Sequence, residues 1–101
     1  MNIEQMTEFL EKAWDDGGVL ALIRVGRFDV SEGEAFIHVL KNMHVDDHAL
    51  LPKRFVSLTW YLPSFLEWQK RRVEEVTGGL ASYEIFIVEV CSILEGVLGV
   101  P

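Results

Sequence analysis

Residues 44–48 read His-Val-Asp-Asp-His, the densest group of side chains in the sequence able to ligate a metal or move a proton. Wound as a helix, the segment would set His44 and His48 one turn apart, with Asp47 three residues from His44. That is a partial site for zinc or another divalent ion, built from imidazole nitrogen and carboxylate oxygen. His38 could approach from a preceding helix. His44, Asp47 and His48 are therefore the candidate metal ligands, and a small metal-dependent enzyme is one reading of the chain. The other is a solvated loop in which Asp46 or Asp47 caps a turn, because two histidines and a carboxylate with no second cluster leave a zinc shell incomplete.

Nothing else in the sequence has the form of a reaction centre. The serines fall in helix caps or helix bodies with no histidine at short range, and Cys91 falls on the apolar side of a helical pattern, where a thiol is inert. The glycines pair as helix stops, and none follows a strand to cradle phosphate, so no cofactor is implied. Lys53, Arg54, Lys70, Arg71 and Arg72 with Trp60, Tyr61 and Trp68 have the composition of a single-strand nucleic-acid site. On a helix, however, Lys53 and Lys70 stand about 25 Å apart. Glu67, Glu74 and Glu75 neutralise the second group through pairs such as Lys70 with Glu74 and Arg71 with Glu75. The aromatic residues point instead to protein association. On a regular helix Tyr61 and Trp68 border the apolar stripe while Trp60 faces nearly the opposite way, so core packing cannot use all three unless a kink turns Trp60 inward. Trp60, Tyr61 and Trp68 are the candidate partner-binding residues, tryptophan and tyrosine being the side chains that most often anchor interfaces.

The elements that must position these residues read as helices throughout. Asn2 and Gln5 form a capping box ahead of Ile3, Met6, Leu10, Ala13 and Trp14, and Gly17-Gly18 closes that helix. Val19 to Phe28 is short and apolar on nearly every side, which suits a buried strand or a helix. A helix is preferred because it puts Arg24 and Arg27 on one narrow face. Ser31 with Glu34 forms a second capping box before Ala35, Phe36, Val39, Leu40 and Met43. Asn42 to Leu51 is the longest connection. From Pro52 a long helix carries Phe55, Leu58, Leu62, Phe65, Leu66, Val73 and Val76 in one stripe, kinked near Pro63 and stopped at Thr77-Gly78-Gly79. The last segment fails to alternate as a strand and succeeds as an apolar helix, with Ile85 and Val88 left on its polar side. The expected fold is all-α, a single domain over residues 1–101 with a bundle of four or five helices.

Charge and hydropathy bound the rest. The chain has 101 residues, half of them apolar, and a net charge of −7. Residues 1–50 hold ten acids against four bases, and residues 51–101 six against five. Such a balance disfavours nucleic acid and anionic lipid and suits a basic partner. Leu80 to Val100 is long enough to span a bilayer, but Glu84, Glu89 and Glu95 interrupt it. The opening residues lack a signal-peptide pattern, and one cysteine precludes an internal disulfide, both fitting a cytoplasmic protein. The apolar surplus exceeds what a small monomer needs and suggests a homodimer. The expected function is a non-catalytic interaction module, such as an adaptor or a toxin-neutralising immunity protein. The metal-dependent enzyme and a purely structural, self-associating subunit are its alternatives.

Overall fold

In the computed structural model, which describes residues 1–101, the chain forms seven helical segments and no strand. The first, α1 (Ile3–Trp14), opens with the expected capping box: the Gln5 amide donates to the Asn2 side chain at 2.8 Å, and the Asn2 amide to the Gln5 side chain at 2.9 Å. Met6, Leu10 and Ala13 form its buried face. The chain then doubles back so tightly at Gly18 that a Cβ there would run into the carbonyl oxygens of Lys12 and Ala13. Val19 to Phe28 is helical for only part of its length. Here α2 (Val19–Arg24) buries Leu20 and Ile23, and the chain leaves it through Gly26 at φ +86°. Arg27 therefore lies beyond the helix.

The start of α3 (Val30–Lys41) corrects the sequence expectation. Asp29, not Ser31, is the cap, its carboxylate accepting from the Glu32 amide at 3.1 Å. An aspartate beside the positive end of a helix satisfies an orphan amide and the helix dipole together, which moves the cap two residues ahead of Ser31.

The run after Pro52 is broken twice, into α4 (Lys53–Trp60), α5 (Leu62–Trp68) and α6 (Lys70–Thr77). The first break is the expected one at Pro63, whose ring nitrogen cannot donate to the Thr59 carbonyl. The second, at Gln69, has no proline. There the Gln69 amide is shared between the Phe65 and Leu66 carbonyls at 3.2 and 3.3 Å, while the buried Tyr83 hydroxyl donates to the Leu66 carbonyl at 2.6 Å. A side chain has entered the helical ladder and taken the acceptor that Lys70 would otherwise use.

Counted as one bent helix, α4 to α6 make five helices in all with α1, α2, α3 and α7 (Ala81–Leu98), matching the expected all-α bundle. α7 packs on α3, α5 and α6, and α1 on α2 and α4. One apolar core results, with Leu10, Leu20, Leu40, Phe55, Leu66 and Val90 wholly buried in it. Of the long stripe only Val76 is left exposed, and Ile85 and Val88 stand outward as expected. No helix is long and apolar enough to cross a membrane.

Burial, with a smaller push from the Glu67 carboxylate, holds the Tyr83 phenol well above its ordinary value. An unfolded tyrosine ionises near pH 10 whereas this one stays protonated, so the folded state binds more protons and loses stability as pH rises above about 10. Tyr83→Phe should cost about 0.5–1.5 kcal/mol at neutral pH by removing a buried hydrogen bond, the Leu66 carbonyl keeping the Gln69 amide as its donor. It should also flatten the decline above about pH 10. Urea unfolding of both proteins from neutral to alkaline pH checks this; parallel declines would mean that Tyr83 does not set the slope.

Candidate interaction surface

The aromatic residues of the α4–α5 junction form one connected set. Tyr61, the residue at the break, meets Trp60 edge-on at 5.7 Å and Trp68 edge-on at 5.6 Å, and lies 6.3 Å from Trp14 of α1. The three candidates are thus brought together, but their burial differs. Tyr61 is half-buried, while Trp60 is 62 % and Trp68 66 % exposed. The kink leaves Trp60 outside the core.

Beneath them lies a supporting layer that the sequence did not single out as a site. Trp14 donates its indole N–H to the Leu58 carbonyl at 3.1 Å and packs edge-on against Phe65 at 4.7 Å. The Arg24 guanidinium lies over both rings, 5.8 Å from Trp14 and 5.6 Å from Phe65. Arg72 in turn donates to the Arg24 carbonyl at 2.9 Å. Gly26 allows this approach, since a Cβ there would press on the Arg72 backbone at 2.8 Å. The sequence placed Arg24 on a narrow helical face with Arg27, and no local spacing ties position 24 to position 72.

Charge is segregated along this face. On α1, Glu4, Glu8 and Glu11 recur at steps of four and three and share one side of the helix, and Asp15 follows as its C-cap. Glu11 reaches Arg54 at 3.2 Å; Glu4, Glu8 and Asp15 are exposed and unpaired. Arg24 and Arg72, which meet beside Phe65, and Arg27 are exposed and none is paired with an acid. The other basic residues of α6 are neutralised locally. Arg71 pairs with Glu75 at 3.4 Å as expected, whereas Lys70 pairs with Glu67 at 2.9 Å instead of Glu74, a contact that holds its ammonium above the ordinary value.

The histidine segment is arranged differently from the helix that a metal site would need. Met43 to Asp46 has no regular structure and Asp47 and His48 form a turn, so His44, Asp47 and His48 share no helical face. His44 lies 3.1 Å from Asp46, both side chains more than 80 % exposed. Nowhere do three His, Cys, Asp or Glu side chains converge as ion ligands. Cys91 on α7 is half-buried, and burial, with the charges of Glu67 and Glu95, raises its thiol above the usual value and keeps it protonated. An open groove of about 450 Å³ runs between α3 and α7, floored by Phe28, Gly33 and Phe86 and crossed by a Lys41 to Glu89 pair at 3.9 Å.

No protein-family model, curated protein or solved structure matches the chain. What the face can do follows from its geometry: it offers aromatic edges and planes with unpaired charged side chains around them.

The two layers should separate on substitution. Trp14→Ala removes a packed ring, a hydrogen bond and the seat of Arg24, and should destabilise by about 3–5 kcal/mol. Trp60→Ala and Trp68→Ala should each shift stability by no more than about 0.5 kcal/mol, being surface changes. Denaturant unfolding of the three variants tests the division; a large loss for Trp60→Ala or Trp68→Ala would make those rings structural.

Proposed function

We propose that this chain is a non-catalytic protein-interaction module, an adaptor or neutralising subunit that docks through Trp60, Tyr61 and Trp68. The observation that carries the reading is the pair of tryptophans more than 60 % exposed on either side of Tyr61. Large aromatic side chains in contact with one another, backed by a rigid layer and left uncovered, are the usual form of an interface hot spot. The unpaired acids of α1 beside them favour basic groups on the partner, and the single cysteine suits a reducing, cytoplasmic setting. A metal-dependent activity at His44, Asp47 and His48 has less support, because no third ligand approaches His44 and Asp46.

The test compares tagged wild type with Trp60→Ala/Trp68→Ala after co-purification from the native source, with untagged chain co-expressed. Wild type should retain a companion in stoichiometric amount, and the double variant should lose it. At about 2 kcal/mol or more for a hot-spot residue, binding weakens some thirtyfold per tryptophan. Association should slow as salt rises. A companion held equally by both proteins, or none held at low salt, would count against the reading.

A further inference from the structure

The aromatic face is distinguished by what its polar atoms leave undone. Of the three indole N–H groups in the protein only that of Trp14 is engaged, with the Leu58 carbonyl. Those of Trp60 and Trp68 and the hydroxyl of Tyr61 have no partner within the chain, and they stand among rings that are exposed or half-exposed. An indole nitrogen donates and never accepts, so the face carries three donors and only the Tyr61 oxygen can accept. Unpaired Asp15 follows Trp14 in the chain and unpaired Arg24 lies over its ring, so charge of one sign does not choose the occupant. The balance of donors and acceptors does.

Ring geometry adds a second constraint. Trp60 and Trp68 are inclined at 64° and 71° to the plane of Tyr61, with centroids 5.7 and 5.6 Å from it. Rings so angled form notches and not the single flat platform on which a sugar or a run of bases would stack. The two tryptophan centroids are no more than about 11 Å apart, which compares with the roughly 9 Å covered by one turn of a polyproline II helix.

Resting on the interaction reading above, we propose that the partner segment seated on this face is proline-rich and bound as a polyproline II helix. Such a segment offers what the face lacks. Its carbonyls, unused by any internal hydrogen bond, accept from the two indoles, and proline has no N–H that would need an acceptor in return. Its compact apolar rings fit between aromatic planes, which is how helices of this kind are generally read. One residue meets Trp60 and the residue three places on meets Trp68, with Tyr61 between them. An α-helical peptide would hide its carbonyls, and an ordinary extended strand would bring N–H groups for which only one acceptor is present. Little order has to be created on either side, because the proline helix is stiff before binding and Tyr61 already packs against Trp14 and Phe65.

The indole N–H resonances of nitrogen-labelled protein, titrated with blocked decaproline, test the assignment. A Gly-Ser peptide of equal length and a glucose oligosaccharide are the comparisons. Decaproline should shift the Trp60 and Trp68 signals and leave that of Trp14 in place, and neither comparison should move any of the three. Trp60→Ala or Trp68→Ala should weaken binding at least about tenfold. Trp60→Phe/Trp68→Phe keeps the ring planes and removes both donors, and should weaken it about fivefold for each hydrogen bond lost. A Trp14 signal at its folded position shows that each variant retains the fold. Four results overturn the assignment: no shift with decaproline at millimolar concentration, equal shifts with the Gly-Ser peptide, full affinity in the phenylalanine variant, and shifts with the sugar but none with decaproline, which would make the face a carbohydrate site. If decaproline moves nothing while Trp60→Ala/Trp68→Ala still loses its companion on co-purification, only the proline-rich occupant is ruled out. If no companion is held either, the interaction reading falls with it.

Discussion

The hydrogen bond from the buried Tyr83 hydroxyl to the Leu66 carbonyl decides where the helix after Pro52 turns for the second time. A phenol sealed in an apolar core must donate to something, and a helix interior offers only carbonyls that are already engaged. Here the conflict is resolved by opening the ladder at Gln69, so α6 leaves α5 at a bend and no longer continues as one rod. Arg72 and Val76 are then brought against Gly26 at the end of α2, and the second half of the aromatic face acquires its basic flank. One buried polar atom on α7 thus shapes a surface on the far side of α5.

Rigidity of that surface comes from a layer of mixed character. Trp14 spends its only donor on the Leu58 carbonyl, and its ring is fixed between Phe65, Tyr61 and the Arg24 guanidinium. A guanidinium over aromatic faces gains cation–π attraction while its stem covers apolar surface. The outer tryptophans consequently rest on side chains that are already ordered, and little further entropy is lost when something covers them.

Much of the architecture could be read from periodicity because its causes are local. The Asn2 and Gln5 box, the stripe from Phe55 to Val73 and the break before Pro63 each depend on residues within a turn or two of one another. So does the outward placement of Ile85 and Val88. The second break could not be read, since its cause lies seventeen residues away at Tyr83. The start of α3 was misplaced because two caps lay within three residues, Asp29 and Ser31, and spacing alone does not rank them. Of the candidate surface, Trp60, Tyr61 and Trp68 were legible as aromatics in excess of what one helix can bury. Trp14, Arg24 and Arg72 were not, because what links them is the packing of α1, α2 and α6 against one another. The histidine segment was read through a helical spacing that it does not adopt. Pro52, placed just ahead of α4, keeps Leu51 out of the helical region, and the polar run before it forms an irregular connection with one turn.

The exposure of Trp60 and Trp68 is hard to explain by folding alone. The first break is made by Pro63, the second by Tyr83, and the space between α1 and α5 is filled by Trp14, Tyr61 and Phe65. Neither outer tryptophan closes a gap or satisfies a buried group: no buried side-chain polar atom in the protein lacks a partner. Each presents apolar ring to water, which for a side chain this large forgoes on the order of 2 kcal/mol that burial would return. A lone exposed aromatic residue is unexceptional, but here two flank a third on a packed base, with unpaired charged side chains around them. In that arrangement the unspent burial energy and the unpaired charges lie on the same face, so a single partner can recover both at once.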